Sequence, residues 1–211
     1  MTTKNKYAFD GMQGVNVTEL AQSGKVLPIT RMGNPVLRNK STDIDSQSDE
    51  ALKIMQDMAA TVAKYGIGNV AGIAAPQVGY NKRILYYTEF DQDNQKVKAG
   101  YFLFNPTYEK TTEKMITSIE PCMSFPDLVG VVKRYKSVRV KMIQYDGINF
   151  TPIDQEFHDE EARILQHEID HLDGRLFMDL LESPQDLYYM DEFKEYALPK
   201  LKETLKTEAA Q

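Results

Sequence analysis

The sequence predicts an α+β fold in which antiparallel strands pack around a central helix. Short strand-like stretches at residues 83–88, 101–105, 115–119, 137–145 and 148–153 follow one another with brief polar intervals. Two longer stretches, 48–64 and 159–173, carry apolar residues at helical spacing. The second of these holds His167-Glu168-Ile169-Asp170-His171, which puts the most reactive cluster of side chains on a helix rather than in a loop.

Residues 1–24 are polar and mixed, with glycines at 11, 14 and 24, and read as an extension without a periodic pattern. The stretch from Val26 to Leu37 is rich in turn formers and is expected to cross the surface. In the first helix Leu52, Met55, Ala59 and Val62 mark an apolar stripe, with Ser48 as N-cap and Gly66 as stop. Residues 66–79 are rich in glycine and alanine, and 91–99 form a polar loop between two strands. Val138, Val140 and Met142 alternate with Arg139 and Lys141, as in a half-buried strand, and Asp146-Gly147 predicts a two-residue hairpin turn. Gly174 sits where a helix ending near Asp173 needs a left-handed residue. Beyond Pro184 a charged amphipathic tail is expected to be helical and to break near Pro199. The chain thus divides into an extension (1–24), a central domain (25–182) and a tail (183–211).

Of the 211 residues 42% are hydrophobic and 27% charged, a balance that suits one globular domain with a full core. A net charge of −6 speaks against a general nucleic-acid or membrane-surface binder. No apolar run approaches the roughly 20 residues that cross a bilayer, and no secretory signal follows the first basic residues, so the expected compartment is the cytoplasm. The tail holds four lysines against six acids, which speaks against a grip on RNA phosphates.

Cys122 is the one cysteine, which rules out an internal disulfide, and the histidines number three: His158, His167 and His171. On a helix, His167 and His171 share a face and can reach one ion, with Glu168 beside them to handle protons on a bound water. A catalytic metal needs a third protein ligand. No histidine follows His171, so the candidates lie elsewhere. Cys122, in Glu120-Pro121-Cys122-Met123-Ser124, offers a soft thiolate, against the bland reading of a small buried side chain.

Three motifs occur in one order: Gly72-Ile73-Ala74-Ala75-Pro76-Gln77, Glu120-Pro121-Cys122-Met123-Ser124 and Gln166-His167-Glu168-Ile169-Asp170-His171. With the flanks Pro28–Leu37 and Leu172–Phe177, the chain from about Val26 to Leu181 resembles the peptide deformylases. The resemblance implies hydrolysis of the N-formyl group from the formyl-methionine of nascent proteins. Cys122, His167 and His171 would hold the metal: Fe2+, with Zn2+ as the alternative and Ni2+ or Co2+ able to substitute. Glu168 would act as general base and then acid, while Gln77 and the Met123 N–H would stabilise the oxyanion. Gly72, Ile73, Pro121 and Ile164 would contact substrate, Gly72 by letting the peptide backbone pass close. Glu120 and Arg134 would pair to brace the Cys122 loop. The implied partners are formyl-methionyl peptides and, transiently, the ribosome.

Three positions depart from the family pattern. Val70 stands for a usual glycine, Pro121 for the glycine before the cysteine, and Asp159-Glu160-Glu161 for a glycine and apolar residues, some of which line the methionine pocket. The acids are read as helix-start residues, with Asp159 as cap. Two other functions remain open: another HExxH-type metalloamidase or peptidase, or a module that binds metal or formyl peptides with weakened chemistry.

Overall fold

The structure, a computed structural model, describes residues 14–91 and 96–209, with side chains as far as residue 203. It is α+β, with antiparallel sheets and few helices. Of the extension, residues 14–24 are described. They contain a short helix, α1 (Val17–Ala21), where no periodic pattern was expected, because Val17 alone is buried there and Asn16 caps the turn.

Helix α2 (Asp49–Tyr65) begins at Ser48, whose hydroxyl accepts from the Ala51 N–H at 3.1 Å. Such a cap is worth about 1 kcal/mol. Gly66 ends it with φ +88°. The buried stripe runs through Ala51, Ile54, Met55, Met58, Ala59 and Val62, whereas Leu52 faces solvent.

Five strands form the main sheet in the order β1-β2-β3-β6-β7, all antiparallel: β1 (Gly72–Ala74), β2 (Ile84–Phe90), β3 (Val97–Lys110), β6 (Ser137–Tyr145) and β7 (Phe150–His158). A smaller sheet runs β4-β5-β8: β4 (Met115–Cys122), β5 (Phe125–Tyr135) and β8 (Leu187–Tyr189). Strand β3 therefore begins inside the stretch expected as loop. Tyr145 pairs with Phe150, so the hairpin at Asp146-Gly147 spans four residues, with Asp146 accepting from the Ile148 and Asn149 amides at 2.9 and 2.7 Å.

The main sheet is covered on both faces, so its inner strands are apolar throughout rather than alternating. Ile84, Tyr86, Phe102 and Phe104 pack against α2. Leu85, Tyr87, Tyr101, Leu103, Val138 and Val140 pack against Leu165, Ile169 and Leu172 of α3 (Asp159–Leu172). A third cluster, with Leu37, Phe125, Val132 and Phe177, fills the space beside the small sheet.

Both ends of α3 are fixed. At its start Asp159 donates its N–H to the Lys136 carbonyl (2.8 Å) with φ +49°, so it makes a corner and does not cap; His158 holds the cap position without a side-chain bond. At its end buried Arg83 donates to the Leu172 carbonyl (3.3 Å) and to Asp173 (2.6 Å), a cation where helix carbonyls are unpaired. Gly174 (φ +73°) follows, and a Cβ there would lie 2.5 Å from the Arg38 carbonyl oxygen.

The tail is not a simple appendage. Its strand β8 pairs with β5, and Phe193 is buried against Tyr188. Helices α4 (Met190–Glu192) and α5 (Leu198–Ala209) are joined by a π turn, Phe193–Ala197, which ends two residues before Pro199. Proline lacks the N–H for residue 195, and a widened turn absorbs the loss without breaking the helix. Tyr196 remains exposed, and Leu205 lies outside the described side chains.

Asp57 of α2 ties the entry segment to the core. It accepts from the Lys25 amide (2.7 Å) and the Tyr80 hydroxyl (2.6 Å) and pairs with Lys53. Burial alone would raise its pKa, but hydrogen bonds from Lys53, Tyr80 and Lys25 hold it below the ordinary value. A depressed folded-state pKa stabilises above the unfolded value near 4, and that benefit is lost as pH falls through the folded value. Asp57→Asn is expected to cost about 1.5–3 kcal/mol at pH 7. Urea unfolding at several pH values checks this, since the gap to the parent narrows on acidification.

Candidate metal centre

Cys122 ends β4, while His167 and His171 lie one turn apart on α3. Their ligand atoms all fall within 4.8 Å of one another. Cys122 Sγ is 3.3 Å from His171 Nε2, and the two imidazole rings meet edge to face at 5.0 Å. Two nitrogens and a sulfur converging at this distance make a donor set suited to a divalent transition metal, with room for a further ligand.

A buried ion cluster orients the first histidine. Glu120 is fully buried, accepts from Arg134 Nε (2.7 Å) and Nη2 (2.9 Å) and from Ser118 (3.0 Å), and is bonded to His167 Nδ1 at 2.7 Å. Arg134 also donates to Asp170, which accepts from the Tyr108 hydroxyl at 3.1 Å. Burial opposes ionisation of Glu120, but Arg134 and His167 outweigh it and hold the carboxyl far below its usual range. Burial likewise opposes charge on His167, and hydrogen bonds to Cys122 and Glu120 lift it well above normal. His171 is pushed well down by burial and by its neighbour His167.

Glu168 is buried beside the cluster, and its Oε2 has no hydrogen-bond partner among the described residues. Burial raises its pKa to about 7. Gln77 is fixed through Oε1, which accepts from the Ala74 N–H at 2.8 Å. Its Nε2 is thereby turned to Cys122 Sγ (3.5 Å) and Ser124 Oγ (3.4 Å). The turn-rich segment near residue 30 links the two loops: Thr30 N–H donates to the Gln77 carbonyl and Met32 N–H to that of Ser124.

These groups open onto a cavity of about 400 Å³. Gly72, Gln77, Pro121, Cys122, Met123 and Ile164 line it, as do His167 and Glu168. His171 is buried and is not part of the lining. Ile73 departs from expectation: strand alternation turns its side chain into the core under α2, leaving only its backbone near the site. Gly72 also has a different task. A Cβ there would lie 2.6 Å from Glu168 Cγ, so the glycine makes room for the carboxylate side chain. Pro121 is tolerated because β4 is an edge strand.

The acids at the start of α3 do not line the cavity. Glu160 pairs with Arg163, and Glu161 accepts from the Tyr87 hydroxyl at 3.3 Å. Arg163 and Met190 are among the wall residues that escaped sequence reasoning. Arg163 stands four positions before His167, a spacing that signals a shared face, and Met190 is delivered by the pairing of β8, which no local pattern announces.

Residues 26–186 match the family model described as polypeptide deformylase. Peptide deformylase of Desulfotalea psychrophila is 33% identical over 175 residues, covering 83% of this chain and 99% of that protein. The class I type b enzyme of Acinetobacter baumannii, solved with Met-Ala-Ser bound, superposes with a TM-score of 0.63 at 28% identity over 74% of this chain and 98% of that one. For peptide deformylase of Thermotoga maritima the TM-score is 0.64, at 26% identity over 75% and 99% of the two chains.

Gly72→Ala is expected to displace the Glu168 carboxyl and, on the scale of an ångström-sized misplacement, to cut kcat about 100-fold. A crystal structure and steady-state kinetics of the variant test both parts; an undisplaced carboxyl with full turnover would contradict the role given to Gly72.

Proposed function

The chain belongs to the peptide deformylase family, and on that premise we propose how its own residues take the formyl group from the first methionine of new proteins. The enzyme is a metal-dependent hydrolase. One arrangement carries the residue-level reading: three ligand atoms within 4.8 Å, with Glu168 beside them, its Oε2 without a partner among the described residues.

In this reading Cys122, His167 and His171 hold the metal, Fe2+ as the native ion with Zn2+ as the alternative and Ni2+ or Co2+ as substitutes. A cation bound there polarises the formyl oxygen and acidifies water. Glu168 accepts the proton of the attacking water and passes it to the departing nitrogen, giving formate and a free amine. Burial, which opposes charge on the Glu168 carboxyl, suits a group that takes up a proton and gives it back. Gln77 Nε2, with the Met123 N–H, donates to the oxygen that gains charge as water adds to the formyl carbon.

The peptide is read as an extended strand between two sheet edges, β1 and β4, whose free backbone groups can pair with it. Gly72 and the backbone of Ile73 lie on one side and Pro121, through its carbonyl, on the other. Ile164 meets the first side chain. Helix α3 is the central scaffold in this account, supported by its packing on the main sheet and its ties to Glu120 and Arg134 of the small one. Residues 25–182 form the catalytic domain, with 1–24 as extension and 183–211 as tail.

The substrates are formylated nascent chains. Work in the cytoplasm and a transient ribosome contact belong to the same reading, because the substrate emerges there. No direct grip on nucleic acid is proposed, in view of the acidic tail. Nor is membrane attachment: among the described residues no helix is long and apolar enough to cross a bilayer.

The deciding assay is formate release from formyl-Met-Ala-Ser by anaerobically prepared, iron- or nickel-loaded protein beside Glu168→Ala. The parent is expected to turn over, and the variant to retain its metal while losing at least about 100-fold in kcat. A metal-loaded variant with undiminished rate would remove Glu168 from the mechanism.

A further inference from the structure

The face of α3 that carries His167 continues toward the helix start. Ile164 and Arg163 precede His167 by three and four residues, so both share that face within about one helical turn, 5.4 Å. Both line the cavity, and Arg163 is the only arginine or lysine in that lining among the described residues. Its side chain is 15% exposed. Nε donates to Glu160 at 2.8 Å and Nη2 donates to the same carboxylate, while Nη1 has no acceptor among the described residues. The ion pair is neutral as a unit and leaves one strong donor over. The same lining holds the apolar Phe125, Leu128, Ile164 and Met190, with Asn69 and Asp127 as further polar members.

We infer that Arg163 sets the pocket's selectivity for the substrate's first side chain. Its spare Nη1 donor extends the range to formyl peptides whose first side chain carries a hydrogen-bond acceptor near its end, methionine sulfoxide and glutamine being two of methionine's own length. The inference rests on the reading that the formyl group lies at Cys122, His167 and His171. From there an unbranched side chain running along α3 passes Ile164 and ends at Arg163. An apolar end, such as that of norleucine, covers the donor and gives it nothing, and a charged donor left unmatched is costly. An S=O or C=O group matches it. Sites built to hydrogen-bond a substrate discriminate against analogues without the polar group far more strongly than apolar pockets discriminate by size.

The test measures kcat/KM for formyl-X-Ala-Ser with X as methionine, norleucine or methionine sulfoxide, in the parent and in Arg163→Leu. Calorimetric binding of the product peptides X-Ala-Ser runs alongside. The sulfoxide-to-norleucine ratio is expected to fall at least tenfold in Arg163→Leu, with product affinities moving in the same sense. A ratio unchanged in both readouts overturns the inference. Arg163→Gln, which keeps a donor but loses the charge, is expected to fall between, and an unchanged ratio there overturns it equally should the leucine variant misfold. No formate from any peptide with the metal-loaded parent would sink the underlying reading and this inference together. Release from formyl-methionine with an unaltered ratio would sink this inference alone.

Discussion

Four buried side chains, Glu120, Arg134, Asp170 and His167, form the constraint on which the rest of this structure depends. They come from β4, β5 and α3 and are at most 6% exposed. Removing the ions among them, Glu120, Arg134 and Asp170, from water costs several kcal/mol each, recovered only if every partner is in place. Here each one is: Arg134 spans two carboxylates, and Glu120 uses both oxygens. Losing one partner would strand the others at about 3–5 kcal/mol, so the small sheet and α3 hold a single relative position. With Nδ1 committed to Glu120, His167 turns its other nitrogen toward Cys122. The cluster thereby sets the orientation of a ligand as well as the register of two elements.

The arrangement also explains what occupies the immediate neighbourhood. Glu168 lies next to this charge, yet one of its oxygens has no partner among the described residues, a state that burial makes costly and that fits the proton exchange proposed for it. Its room is made by Gly72 on the edge of the main sheet, so the two sheets are coupled through the site itself. Beyond the proposed ligands and Glu168 the cavity wall includes Arg163 and Met190, the latter held through β8 and buried Phe193. The tail past residue 186, outside the family match, is thus part of the pocket.

Much of this was legible in the sequence because local physics decided it. Ser48 and Gly66 bounded α2, and the alternation of Val138, Val140 and Met142 bounded β6. The spacing of His167 and His171 brought the ligands to one face. Strand β5 escaped because Pro126, Asp127 and Gly130 interrupt its pattern. Asp127 bulges at the pocket edge with φ +65°, and Gly130 admits the Phe177 ring, which would stand 2.5 Å from a Cβ. Those are tertiary demands that no local window displays. The same holds for Asp159, which turns a corner set by Lys136, and for Ile73, whose direction depends on which face of the sheet α2 covers.

The claim that the ion cluster orients the metal ligands is tested most directly by zinc affinity in Glu120→Gln, measured by chelator competition. The account predicts a loss of about 10–100-fold relative to the parent, as expected when the group orienting a ligating histidine is altered. A folded Glu120→Gln protein that binds zinc as tightly as the parent would contradict it.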